Sequence, residues 1–203
     1  MVYFFDNYES LPLEKYRELL PADRAEKLER LRQKRDRENC LAAYLLLKYA
    51  LNEYGVTDFQ LDTDENGKPF LKDCGLFFNL SHCRLGVAAA VSESAVGIDI
   101  QDIVSEKDGV IRRICTDGEI KSIDEAEDRD REFTRLWTLK EAAAKCDGRG
   151  MKIISGFSFE NCGKSFEKYG RKFTTFERKN LMISVCGNED FSDIKEIKNL
   201  EVF

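Results

Sequence analysis

The chain has 203 residues, 34% of them charged, a formal net charge of −6 and seven cysteines. That length supports one large domain or two closely packed halves whose core needs no staples, while the acidic balance excludes a general nucleic-acid or membrane-surface binder and leaves room only for a local anion site. The cysteines are odd in number and form no C-x-x-C pair, so they read as reduced thiols of a cytoplasmic protein without a zinc framework; the opening MVYFFDNYES and the lack of any apolar run of roughly eighteen residues predict neither a secretory signal nor a membrane span.

From Pro12 to Asn52 the pattern predicts helix, with Leu19, Leu20, Leu28, Leu31, Leu41 and Leu45 recurring among charges and Pro21 separating a short helix from a long one. The basic side chains here, from Arg24 and Lys27 to Arg37, read first as a solvated amphipathic face. DENGKPFL reads as a loop, with turn chemistry at Asn66 and Gly67 and a fixed exit at Pro69. FFNLSH, LGVAAAV and AVGIDIQ are short, apolar and bounded by turns such as Ser92-Glu93-Ser94, which predicts buried strands, two of them a hairpin. The stretch from Val96 to Asp102 is taken as its second strand.

Thr116 to Ala144 again predicts helix, interrupted by the run DEAEDRDRE, an exposed helix or loop to which no chemistry attaches. Gly148 and Gly150 end it. Beyond them the alternation at Gly156 to Glu160 and in KFTTFE, LMISVC and IKNLEVF predicts strands, so the fold class is α+β. The halves share a weak likeness, a helical stretch followed by a strand hairpin, and no Gly/Pro/Ser linker separates them. We therefore expect subdomains 1–98 and 99–203 sharing an interface.

Along a strand over Val96 to Gln101, Gly97, Asp99 and Gln101 share one face and Val96, Ile98 and Ile100 the other. Asp99 is either a strand-end carboxylate bonded to a turn or a buried one that needs a pair or a cation, and Gly97 would leave room for a ligand's close approach. His82 is the only histidine, and a lone histidine builds no triad without a third orienting group. Its neighbour Cys83 reads as a small hydrophobe.

In WTLKEAAAKCDGRG, Lys140, Glu141 and Lys145 sit among small residues, and Glu141 with Lys145 reads most simply as an exposed ion pair worth about 0.2–0.5 kcal/mol. Trp137, Glu141 and Lys145 nevertheless share one face of a helix that Ala142 to Ala144 keep slim. If Asp99 and Glu141 converge, their oxygens and the Gln101 amide oxygen form a hard-oxygen site suited to Mg2+. Lys145, one turn on, would hold a phosphate or orient a nucleophile.

With GKP at Gly67, NLSH at Asn79, GIDIQ at Gly97 and WTLKEAAAK at Trp137, the chain resembles the 4'-phosphopantetheinyl transferases of the surfactin-synthetase-activating (Sfp-like) type. Their patterns run G-K-P, N-x-S-H, G-(I/V)-D-x-E and W-(S/T)-x-K-E-(A/S)-x-x-K. Each motif alone is weak; four in order are specific, and LAAYLLLKYAL extends the likeness upstream. The resemblance implies two similar α/β halves in a pseudo-two-fold arrangement within one monomeric chain, with coenzyme A gripped in the cleft. It implies transfer of the phosphopantetheine arm from coenzyme A to a serine of an acyl or peptidyl carrier protein, releasing adenosine 3',5'-bisphosphate.

On that resemblance Asp99, Gln101 and Glu141 are magnesium positions, Glu141 and Lys145 are catalytic, and Arg24, Lys27, Lys68, Ser81 and His82 contact coenzyme A. Glu141 is the candidate base and Lys145 an electrostatic support. Two residues depart from the pattern: Gln101 stands where the family has Glu, and Asn39 where it usually has an arginine near the coenzyme. A carrier-docking patch is expected around Arg112, Arg113 and a helix from Cys115 to Ser122. The competing readings are a coenzyme A or nucleotide-binding module without transfer, and an α+β interaction protein with surface ion pairs.

Overall fold

A computed structural model describes residues 1–11, 16 and 20–200; the parts of the expected first helix at 12–15 and 17–19, and the end of IKNLEVF at 201–203, lie outside the described residues. In chain order the elements are β1 (Val2–Phe5), α1 (Ala22–Arg30), α2 (Lys34–Glu53), β2 (Leu61–Thr63), β3 (Pro69–Leu71), β4 (Phe77–His82), β5 (Val87–Ser92) and β6 (Gly97–Asp102). Then follow α3 (Asp108–Ile114), α4 (Asp117–Glu125), α5 (Arg129–Asp147), β7 (Ser165–Lys168), β8 (Arg171–Arg178), β9 (Leu181–Gly187) and β10 (Ile194–Glu196). The fold is mixed α+β.

Two four-stranded sheets form, in the orders β10-β1-β5-β4 and β6-β9-β8-β7. Period-two alternation divides the apolar residues of the first between two cores. Tyr3, Phe5, Val87, Ala89 and Val91 pack on the α2 residues Leu41, Leu46 and Leu47, whereas Val2, Phe4, Ala88 and Ala90 pack on Ile98, Ile100, Ile183 and Val185 of the second sheet. The far face of that sheet, with Phe173 and Cys186, lies against Leu136, Leu139 and Ala142 of α5. The layers therefore run α2, first sheet, second sheet, α5. Burying each of the Val, Leu, Ile and Phe side chains among them stabilises by about 1.5–3 kcal/mol, which explains why β1 and β5 are apolar at nearly every position.

The hairpin joins β4 to β5, with Phe78 opposite Val91 and Ser81 opposite Ala88. Val96–Asp102 is not its second strand: β6 leaves for the other sheet and pairs with β9, Gly97 opposite Cys186 and Asp99 opposite Ser184. DENGKPFL is not wholly loop either, because Asp64 Oδ1 accepts from the Asn66 and Lys68 amides and Gly67 takes φ 80°, a turn that lets Pro69–Leu71 pair with Leu61–Thr63. Among the expected strands of the second half, KFTTFE and LMISVC are β8 and β9, but Gly156 to Glu160 is not a strand. A 3-10 turn at Met151–Gly156 precedes it, and its backbone is satisfied by side chains: Phe159 N donates to Glu119 Oε1 at 2.8 Å and the Phe157 carbonyl accepts from Lys140. IKNLEVF is not a strand over its described residues 197–200; the strand lies just before it, at Ile194–Glu196, parallel to β1, and returns the chain to the first sheet.

Lys140 is wholly buried in α5. Its ammonium lies 2.9 Å from Glu119 Oε2, and both side chains are fully buried. Glu119 also closes a capping box with Thr116 at the start of α4, so one carboxylate joins α4, α5 and the segment at Phe159. The Gly148 C-cap, with φ 85°, ends α5 as expected. All seven cysteines are free thiols. Among the described residues no helix is long and apolar enough to cross a membrane.

Candidate active site at the seam between the sheets

Strand β6 presents Gly97 and Asp99 toward α5, the helix that carries Glu141 and Lys145. A Cβ on Gly97 would meet the Ala142 carbonyl oxygen at 2.1 Å and the Cys146 nitrogen at 2.3 Å. Thus the space left by Gly97 is filled by the backbone of α5, not by a ligand as expected. Close approach of helix to strand sets the depth at which Asp99 and Glu141 meet. Thr138 of α5 completes the contact by bonding Ser184 of β9 at 2.8 Å.

From the other sheet, β4 reaches across the seam with two side chains on one face. Asn79 Oδ1 accepts the Ile98 amide at 2.8 Å and Ser81 Oγ accepts the Ile100 amide at 3.4 Å. Side-chain oxygens thereby satisfy backbone donors of β6 where no ladder forms. Asn79 has a role that was not foreseen; its i, i+2 relation to Ser81 was the available signal.

Asp99 is 1% exposed. Its Oδ1 accepts from Ser81 Oγ at 2.7 Å and from Lys145 Nζ at 2.5 Å. The same ammonium lies 3.2 Å from Glu141 Oε2 and 3.1 Å from Ser81 Oγ. Burial pushes the Glu141 carboxyl up to about 7; the Asp99 charge adds to that rise and Lys145 opposes it. For Lys145, burial disfavours the ammonium, but Asp99 and Glu141 together outweigh it and hold the amine above its ordinary range. Lys145 therefore remains a cation.

Asp99 Oδ2 is buried without a hydrogen-bond partner, which is costly for a carboxylate unless a cation completes it. Two adjacent carboxylates with one spare oxygen suit a hard divalent ion. Among the described residues, no group of three or more His, Cys, Asp or Glu side chains is arranged to hold a metal. Gln101 lies two residues along the same face of β6 and lines a cavity of about 210 Å³ with Asp102, Phe133, Thr134 and Trp137.

The expected coenzyme residues divide. Arg24, Lys27 and His82 line one cavity of about 270 Å³, together with Asp36, Cys40 and Tyr44. Burial pushes the His82 imidazole below its ordinary value, with Lys145 and Lys27 acting the same way and Asp36 against them. Ser81 is absent from that cavity, its hydroxyl engaged by Asp99 and Lys145. Lys68 is absent too: its ammonium donates to the Lys145 carbonyl at 2.5 Å and the Val96 carbonyl at 3.4 Å. It thus caps the last turn of α5, where a cation suits the helix dipole, and burial lowers its pKa.

Residues 95–193 match the family model of the 4'-phosphopantetheinyl transferase superfamily. The chain is 32% identical over 137 residues to the 4'-phosphopantetheinyl transferase psf-1 of Bacillus pumilus, covering 64% of this chain and 59% of that protein. It is 26% identical over 153 residues to the 4'-phosphopantetheinyl transferase Sfp of Bacillus subtilis (strain 168), covering 71% and 68%. To the 4'-phosphopantetheinyl transferase gsp of Aneurinibacillus migulanus it is 30% identical over 117 residues, covering 56% and 49%. The chain thus spans between about half and two thirds of the length of these relatives.

Proposed function

From the match of residues 95–193 to the 4'-phosphopantetheinyl transferase superfamily and the similarity to named transferases, we propose that the chain belongs to that family, moves the phosphopantetheine arm of coenzyme A onto a serine of an acyl or peptidyl carrier protein and releases adenosine 3',5'-bisphosphate. The observation that carries this reading is the Asp99–Lys145–Glu141 cluster, two buried carboxylates and one cation, with an unpartnered oxygen on Asp99. Arg24, Lys27 and His82 supply the local anion site that an acidic chain needs for a phosphorylated coenzyme.

Asp99 and Glu141 would hold Mg2+, with Gln101 or water at a third place; the ion would neutralise charge on the coenzyme diphosphate. The serine oxygen bonds to the phosphorus of the arm as the P–O bond to the adenosine bisphosphate breaks. Mg2+ on the carboxylate would make Glu141 a weaker base than burial alone makes it, and in this reading it accepts the serine proton directly or through a water. Lys145, held protonated, supports the developing charge and keeps Asp99 in place; it is a poor base. In this reading Lys68 and Ser81 act on the site by fixing Lys145 and Asp99.

We further propose that α2 with the first sheet and α5 with the second are pseudo-two-fold related subdomains, 1–98 and 99–203, with β10 crossing back to the first. The enzyme would work as a cytoplasmic monomer and dock its acidic carrier around Arg112, Arg113 and α4. Chromatographic detection of adenosine 3',5'-bisphosphate, after mixing with coenzyme A, Mg2+ and an apo-carrier protein, tests the reading: release that requires the carrier supports it. Coenzyme binding with no release would support the binding module instead.

A further inference from the structure

Asn39 stands on the second turn of α2 and is 3% exposed, yet every polar atom of its amide is engaged. Tyr8 Oη donates to Asn39 Oδ1 at 2.5 Å. Asn39 Nδ2 donates to the Cys83 carbonyl at 3.1 Å and lies 3.5 Å from His82 Nδ1. The Cys83 carbonyl can only accept, so the atom facing it must be the amide nitrogen and the atom facing Tyr8 the oxygen. The second N–H of that nitrogen is then the one directed to His82, and Nδ1 must receive it with a lone pair. A neutral imidazole whose Nδ1 accepts carries its proton on Nε2.

Tyr8 is itself held in place. The Arg35 guanidinium lies 4.1 Å over its ring, and Phe5 meets the ring edge-on at 5.9 Å between centroids. Burial pushes its hydroxyl above the ordinary tyrosine range, so it stays a neutral donor. The anchor on the other side is backbone, the Cys83 carbonyl directly after His82.

We propose that Asn39 is a positioning residue: clamped between Tyr8 and the Cys83 carbonyl, it fixes the His82 ring in its Nε2–H tautomer, so that this N–H is the donor offered to an anion in the cavity shared with Arg24 and Lys27. The inference rests on the reading of that cavity as the place of a coenzyme phosphate. It gives the substitution at Asn39 a physical sense, because a neutral amide trades a direct cationic contact for control of the neighbouring ring. The charged groups that act on His82 are Lys145 of α5, Lys27 of α1 and Asp36 of α2, and Arg24 of α1 lines the same cavity. The tautomer is set by Asn39 because it alone bonds Nδ1 among the described contacts.

His82 is the chain's sole histidine, so nitrogen-15 labelling of histidine in the full chain reports one ring. The wild type should show the Nε2–H tautomer at pH values above the ring's titration. Asn39→Asp puts an acceptor against Nδ1, so the proton should move to Nδ1 and the titration midpoint should rise by about one unit. An unchanged tautomer and midpoint in that variant would overturn the proposal. If Asn39→Asp does not fold, Tyr8→Phe decides, since it keeps the ring under Arg35 but frees the Asn39 oxygen: a share of the Nδ1–H tautomer should appear, and a pure Nε2–H ring would be the contrary result.

Asn39→Ala should raise KM for coenzyme A about fivefold with kcat nearly unchanged, the cost of one misaligned hydrogen bond. The tautomer measurement needs no coenzyme. A chain that shows the Asn39 effect on His82 and yet transfers nothing would sink the functional reading alone, whereas active transfer with an indifferent ring would sink this inference alone.

Discussion

Lys145 Nζ lies 2.5 Å from Asp99 Oδ1, so an ammonium at the end of α5 neutralises a carboxylate on β6 that is 1% exposed. The contact holds helix to strand, and it leaves the second Asp99 oxygen free for another cation.

Asp99→Asn keeps the shape and the bond from Ser81 but removes the charge. Transfer should fall by about 100-fold or more, the usual loss when a preorganised electrostatic contact is deleted, with a native circular dichroism spectrum. Activity within a few-fold of wild type would remove Asp99 from the centre.

Glu141 gives the pH dependence. With its carboxyl at about 7 in the folded chain against an ordinary 4.5, the native state binds the extra proton between those values. Its contribution to stability is full below the ordinary value and is lost as pH rises through about 7. Thermal melts from acid to neutral pH should show Glu141→Gln losing less stability than wild type; parallel curves would show that this carboxyl does not titrate there.

The Lys140–Glu119 pair makes a prediction about folding alone. Both side chains are wholly buried and Glu119 also holds the Thr116 and Phe159 amides, so Lys140→Met leaves an uncompensated buried carboxylate. Urea unfolding should show a loss of about 3–5 kcal/mol. A loss below about 1 kcal/mol would mean that the pair is not formed in solution.

Gln101 shares the face of β6 with Asp99, and Gln101→Glu restores the charge that the family pattern carries. The Mg2+ concentration giving half-maximal transfer should drop several-fold. An unchanged requirement would place residue 101 away from the ion, in keeping with its position in the cavity beside Trp137.

What the sequence disclosed, and what it hid, follows from the range of the interactions. Helix spacing put Glu141 and Lys145 on one face, period two put Asp99 opposite the apolar Ile98 and Ile100, and the four motifs singled out the residues that meet. The partner of β6 was not legible, because β9 lies far along the chain and pairing leaves no local mark. The burial of Lys140 was not legible for the same reason: Glu119, brought in by α4, makes it tolerable. Lys68 and Ser81 belong to matching motifs, but their polar atoms turn to the Lys145 carbonyl and to Asp99, relations that spacing alone does not encode.

The most direct measurement is the intact mass of an apo-carrier protein after incubation with this chain, coenzyme A and Mg2+, beside a carrier whose acceptor serine is alanine. The wild-type carrier should gain one phosphopantetheine arm and the alanine carrier none, with the gain lost in Asp99→Asn and Glu141→Gln. An unmodified wild-type carrier across acyl and peptidyl types, or undiminished modification by both variants, would contradict the account.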